Sequence, residues 1–138
     1  MGRRIRFEIE DISAVAELYD DLSPQMAEAL WAALPLNVTL SHAKWSGFAC
    51  FFQPGEGPWN AVTEIEYPVC SIYPGTLVAR PGGSELLMAY GPAEYRWAIG
   101  VDYTTPVAKT VENRQALIDV LARMHREGDK MLSIQREG

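Results

Sequence analysis

The sequence predicts a mainly β domain, a closed antiparallel barrel with two covering α-helices, and three observations carry that expectation. Short segments with strand-like alternation recur between Gly/Pro turns along most of the chain. Only two segments have helical spacing, and a long block of strand-like segments separates them. The chain also opens and closes on alternating segments, and many short strands between Gly/Pro turns favour a closed barrel or a sandwich, either of which solves the problem of exposed edges. A doubly wound parallel sheet would need a helix between most strand pairs, whereas closing an antiparallel sheet removes its exposed edges.

Taken in order, Arg3 to Ile9 alternates charged residues with Ile5, Phe7 and Ile9, the period of a half-buried strand. Ser13 to Tyr19 continues the alternation after a turn at Glu10 to Ile12. Ser23 then stands as the N-cap of a helix, with Pro24 at its first position and Leu22 as a hydrophobic staple. Met26, Ala27, Leu30, Trp31 and Leu34 form its apolar stripe, and Pro35 ends it. Residues Gln53 to Pro58 have turn chemistry alone. Strands are expected at Ala61 to Tyr67, Thr76 to Arg80, Ser84 to Tyr90 and Tyr95 to Val101, divided by Pro74-Gly75, Pro81-Gly82-Gly83 and Gly91-Pro92. A second helix over Glu112 to His125 presents Leu117, Ile118, Leu121 and Met124 on one side, with Gly128 beyond its end. Lys130 to Gln135 returns as the closing strand.

With 138 residues the chain forms one domain, assigned to residues 3–136. Twelve Lys and Arg against eighteen Asp and Glu give a net charge of −6, and the basic residues are scattered. A nucleic-acid partner is therefore not expected. The charge-free stretch Tyr67 to Ala79 is broken by prolines and a glycine and falls short of the ~20 apolar residues that span a bilayer, so no membrane partner is expected. Acidic Glu8, Glu10 and Asp11 occupy the place a signal peptide's apolar core would take, which points to a cytoplasmic protein. Cys50 and Cys70 lie in apolar runs without ligand spacing and read as free thiols. With only His42 and His125 as histidines, no metal or other cofactor is expected.

Three segments bear a resemblance. Glu17-Leu18-Tyr19 followed by Pro24 is similar to a cyclophilin segment, and His42-Ala43-Lys44-Trp45-Ser46-Gly47-Phe48-Ala49-Cys50-Phe51 resembles the cyclophilin active-site strand, with His42, Gly47 and Phe48 in register. Gly83-Ser84-Glu85-Leu86-Leu87-Met88 is similar to a further cyclophilin strand. More closely, the chain resembles a family of small bacterial proteins of unassigned function with a cyclophilin-like barrel. The resemblance rests on Ala29 to Pro35, on His42 to Gly47, on Pro74-Gly75 followed by Pro81-Gly82-Gly83, and on Tyr90-Gly91. It implies a groove on a cyclophilin-like barrel. The Arg with which cyclophilins assist amide rotation is replaced at its aligned position by Ala43, and a regular strand would turn Lys44 to the opposite face. Glu85 and Leu87 stand where cyclophilins carry Gln and Phe.

The leading expectation is a barrel that binds a small molecule or peptide in an aromatic groove without the prolyl isomerase Arg. Its ligand-binding candidates are His42, Trp45, Phe48, Phe51, Glu85, Leu87, Tyr90 and Trp97, and no residue is assigned a catalytic role. Glu85 would place a negative charge beside that groove and favour a cationic or amide-bearing ligand. Two alternatives stay open: an enzyme, either a weak prolyl isomerase or a small-molecule hydrolase or isomerase using His42 and a carboxylate, and a homo-oligomeric structural subunit whose aromatics form the interface. Ser46, four residues from His42, lacks a nucleophile-elbow context. Glu64 and Glu66, two apart on an expected strand, read as a solvated face or a weak pair of oxygen ligands for a cation.

Overall fold

The computed structural model describes residues 2–138. Strand β1 (Arg4–Ile9) pairs with β2 (Ile12–Leu18), and α1 (Pro24–Ala33) leads to β3 (Leu36–His42) and β4 (Gly47–Phe52). After a long connection come β5 (Thr76–Ala79), β6 (Leu86–Ala93) and the hairpin β7 (Arg96–Trp97) and β8 (Gly100–Val101). The chain ends with β9 (Thr105–Glu112), α2 (Arg114–Glu127) and β10 (Lys130–Arg136). Eight strands close a barrel in the order β1-β10-β3-β4-β6-β5-β9-β2, every neighbouring pair antiparallel. The predicted closed barrel with two helices is thus the observed architecture. No helix of the described residues is long and apolar enough to cross a membrane.

One face of each strand fills the interior. Ile5, Phe7, Ile9, Leu40, Phe52 and Leu77 are buried there together with Met26 and Leu30 of α1 and Leu117 and Leu121 of α2. Trp31 is half-buried against this core, between the guanidinium groups of Arg3 and Arg136 at 5.0 and 4.6 Å from its ring.

Three local expectations need correction. Ala61 to Tyr67 forms no strand: Pro58–Ala61 makes a 3-10 turn that drives Trp59 into the core, where the indole N–H donates to the Gly55 carbonyl at 2.7 Å, and the following residues run as a loop. The Glu66 carboxylate on that loop accepts the backbone N–H groups of Gln25 and Met26, each at 3.0 Å, and so caps α1 from another part of the chain. Ser23 keeps the N-cap position, but its hydroxyl shares a 2.5 Å hydrogen bond with that of Thr105 instead of capping the helix. Glu66 is therefore not one of a strand-borne carboxylate pair, and no cluster of three or more metal-ligating side chains occurs among the described residues. The expected strand over Tyr95 to Val101 is only the two-residue pair β7 and β8 joined by a tight turn.

Strand β9 escapes sequence reading because Pro106 interrupts it. Leu77 pairs with Ala108 but Val78 pairs with Pro106, so Val107 is the extra residue of a bulge, a place in a strand where proline is tolerated. Cys50 is buried and Cys70 half-buried, both free, and burial pushes the Cys50 thiol up to about 12.

The cap supplied by Glu66 carries a prediction. Replacing it by Ala should lower unfolding free energy by about 1–2 kcal/mol, read from the urea midpoint. An unchanged midpoint would remove this carboxylate from the support of α1.

Candidate functional site

Strands β4, β6 and β5 carry apolar side chains on their outer face as well. Phe51 pairs across the ladder with Leu87, and Leu87 with Val78. This outward row is covered by chain from 69–75 and 91–97, which cross-link through Ile72 N–H to the Ala93 carbonyl at 3.0 Å and Tyr95 N–H to the Cys70 carbonyl at 2.7 Å. Ile72, Tyr95 and Ala89 pack with Leu87 and Val78 into a second apolar cluster distinct from the barrel interior.

The cover stops short at one end of β4 and β6 and leaves a groove of about 310 Å3. Phe51 and Leu87 line its base, and Trp45 of the 43–46 turn and Tyr95 and Trp97 of the 91–97 segment wall it, with Gln53 and Glu85 at the adjoining ends of β4 and β6. Strand β3 ends at His42, so Ala43 to Ser46 form a turn, and Lys44 lines the groove instead of pointing away as a regular strand would require.

Ser46 joins the two walls. Its hydroxyl is buried, accepts the Arg96 N–H at 3.0 Å and donates to the Arg96 carbonyl at 3.3 Å, while the Glu94 N–H donates to the Ser46 carbonyl at 3.1 Å. A second brace holds Trp97: its indole N–H donates to Asp102 at 3.1 Å, and the same carboxylate oxygen receives Arg80 at 3.1 Å. The Tyr103 N–H, the Trp97 indole and Arg80 together hold the Asp102 carboxyl below the usual carboxylate range. Arg80 also lies 4.9 Å above the Tyr95 ring. Burial and the facing Glu85 carboxylate push the Tyr95 phenol up to about 12, so it stays protonated. Glu85 itself is half-buried and has no ion-pair partner among the described residues, nor does Lys44, whereas Arg96 is tied to Glu94 at 2.6 Å.

Of the residues singled out from sequence, Trp45, Phe51, Glu85, Leu87 and Trp97 come together in this groove. His42, Phe48 and Tyr90 do not line it. They gather beside α2, on the side of β3, β4 and β6 that carries the barrel interior. His42 donates from Nδ1 to the Ala43 carbonyl at 2.7 Å and accepts the Tyr90 hydroxyl at Nε2 at 2.8 Å. Tyr90 stacks on Phe48 at 5.5 Å, a contact that Gly91 permits, since a Cβ there would stand 2.6 Å from the Phe48 ring. His125 of α2 lies edge-on to His42 at 6.0 Å. Both nitrogens of His42 are thus engaged away from the groove and from the Ser46 hydroxyl. Lys44, Ser46, Gln53, Tyr95 and Arg96 join the lining without having been singled out for it. For Tyr95 the only sequence signal was its place after a Gly-Pro turn.

Removing the wall clasp makes a test. Ser46→Ala removes both side-chain hydrogen bonds to the Arg96 backbone and should cost about 1 kcal/mol of stability while speeding hydrogen exchange at the Arg96 amide. An amide that exchanges at the parent rate would mean that the walls are held by other contacts.

A family model described as a protein of unknown function, DUF3830, matches residues 5–68. No curated protein matches. Among solved structures, McbB in complex with tryptophan superposes with a TM-score of 0.78 at 24% identity, over 97% of this chain and 45% of the McbB chain, so this chain spans less than half of McbB. A hypothetical protein from Archaeoglobus fulgidus gives a TM-score of 0.66 at 16% identity, covering 99% of this chain and 95% of that one. A cyclophilin-type peptidyl-prolyl cis-trans isomerase from Cryptosporidium parvum gives 0.70 at 15% identity, covering 100% and 99%. At such identities the likeness carries the fold. The chain is a cyclophilin-like barrel whose first half is similar to a family of proteins of unknown function.

Proposed function

We propose that the outer groove binds a small molecule with a planar apolar body and a cationic amine, tryptamine or tryptophan being the nearest simple examples. The observation that carries this reading is Glu85, a half-buried carboxylate without an ion-pair partner among the described residues, set at the end of a slot walled by Trp45 and Trp97. Indole or phenyl rings stack against such walls, and an ammonium group supplies the ion pair that the carboxylate lacks. Lys44, also in the lining, suits the carboxylate of an amino acid. That McbB was solved with tryptophan adds support, although this chain corresponds to less than half of that protein.

Calorimetric titration tests the reading. Tryptamine should bind at least about tenfold more tightly than indole-3-acetate, whose charge is reversed, and Glu85→Gln should erase that preference. Equal affinity for the two ligands, or a Glu85→Gln variant that keeps the parent preference, would sink it.

Binding rather than amide rotation also follows from the cations available. Ala43 offers no donor, Lys44 presents a point charge instead of a planar fork, and the Arg96 guanidinium is occupied by Glu94 through two hydrogen bonds at 2.6 and 3.1 Å. Prolyl-peptide isomerisation is therefore expected at the uncatalysed rate in the parent, with a measurable gain in Ala43→Arg. Catalysis by the parent would show that this groove assists rotation by another route.

A further inference from the structure

A second cavity, of about 430 Å3, lies on the same outer face over β5 and β9. Thr76 and Val78 of β5 and Pro106 of β9 make its floor, Val78 and Pro106 being cross-strand partners at the bulge. Tyr19 and Leu22 lie along one side, and the connection from Tyr67 to Tyr73 along the other, with Tyr103 also lining it. No Asp, Glu, Lys, Arg or His contributes to the lining, in contrast to the first groove with Glu85, Lys44 and Arg96. We infer that this cavity is a separate binding site for an uncharged, planar aromatic molecule bearing hydrogen-bonding groups on its edge.

Three features argue for it. Four phenol rings, those of Tyr19, Tyr67, Tyr73 and Tyr103, offer stacking and edge contacts to a flat ligand. The hydroxyls of these tyrosines and of Ser71 and Thr76 make no hydrogen bond to protein among the described residues, so polar groups of a ligand find partners around an apolar floor. Burial, followed by the nearby Asp21 and Glu17 charges, raises the Tyr19 phenol, which keeps that group neutral.

The cavity is also preformed. Val69 and Thr104 exchange backbone hydrogen bonds at 2.9 and 2.7 Å, the fully buried Thr104 hydroxyl donates to the Val69 carbonyl at 3.0 Å, and the Tyr19 N–H donates to the Val107 carbonyl at 2.8 Å. The walls are thereby fixed to β9, while the rings of Tyr67, Tyr73 and Tyr103 stand 48%, 78% and 53% exposed at the mouth. An added peptide strand is not favoured, because the barrel is closed and presents no free edge here. The volume instead matches a single small molecule.

The site is tested with N-phenyl-1-naphthylamine, an uncharged probe whose emission rises in apolar surroundings. The intact chain should give a saturable rise at one probe per protein. Tyr73→Ala and Tyr103→Ala, both removing exposed rings and checked for folding by circular dichroism, should each weaken binding by about tenfold. The sulfonated analogue 1-anilinonaphthalene-8-sulfonate should bind about tenfold more weakly than the neutral probe, since no cation lines the cavity and the Lys109 ammonium is drawn to the Tyr19 ring at 6.0 Å. Saturating tryptamine should leave the titration unchanged, which separates this site from the first groove whether or not the amine binds there. No saturable rise, a rise indifferent to both tyrosine variants, equal binding of the sulfonate, or displacement by tryptamine would each overturn the inference.

Discussion

An apolar row on the outside of the barrel is the constraint from which the functional surface follows. The interior takes one face of every strand, but β4, β5 and β6 carry Phe51, Val78 and Leu87 on the other face, where they would meet water. Removing each such side chain from water is worth about 1.5–3 kcal/mol, so the chain cannot leave them bare without cost. The segments 69–75 and 91–97 supply the cover, crossing over the strands and hydrogen-bonding to each other. They are too short to cover the whole row. A gap remains on each side of them, one over Phe51 and Leu87 and one over Val78 and Pro106. Neither cavity needs a special device, because both are the uncovered ends of a surface that is apolar by necessity.

That origin explains what the sequence made legible. Alternation in β1, β2 and β10 and the helical stripes of α1 and α2 report one buried face against water, a pattern that reads directly from residue type. Strand β4 loses the alternation where both of its faces are covered, and Leu40 to Phe52 accordingly reads as an aromatic and small-residue block, whereas β3 alternates Leu36, Val38 and Leu40 with Asn37, Thr39 and Ser41. Pro106 hides β9 in a different way, since the bulge that accommodates it is a property of the pairing and not of the segment. Ala61 to Tyr67 errs in the other direction. Its β-branched residues suggest a strand, but Trp59 is anchored in the core by the 3-10 turn and Glu66 is drawn to the end of α1, and these two tertiary contacts outweigh local preference.

The motif His42 to Phe51 shows the limit most plainly. As linear sequence it looks like one site, yet side chains alternate across a strand, so its members must divide between two faces. Phe48, Cys50 and Phe52 share one face of β4, and Ala49 and Phe51 the other. His42 and Tyr90 fall with the first set. There they form a hydrogen-bonded and stacked group beside α2 that ties the end of β3 to β6. Only the turn at Ala43 to Ser46, where β3 has ended, escapes the alternation, and it is this irregularity that brings Lys44 and Trp45 to the groove. Strand periodicity thus assigns the face of a residue well where the strand is regular and fails at the turn, which is where a groove wall is built.

Charge separates the two cavities and gives Glu85 its particular character. Much of the acidic excess is already engaged: Asp20 and Glu28 with Arg3, Glu112 with Arg4, and Glu10 and Glu127 with Arg123 and Lys130. Glu85 has no such partner among the described residues and faces a phenol rather than a cation. Because burial and this same carboxylate keep Tyr95 protonated, the phenol cannot add a second negative charge, and it cannot neutralise the first. A half-buried carboxylate without an ion-pair partner among the described residues therefore shares about 310 Å3 of space with the indoles of Trp45 and Trp97 and with Lys44. The cavity over β5 and β9 has the aromatic walls without the charge, and for that reason the same fold can present two surfaces of similar size with different chemical preferences.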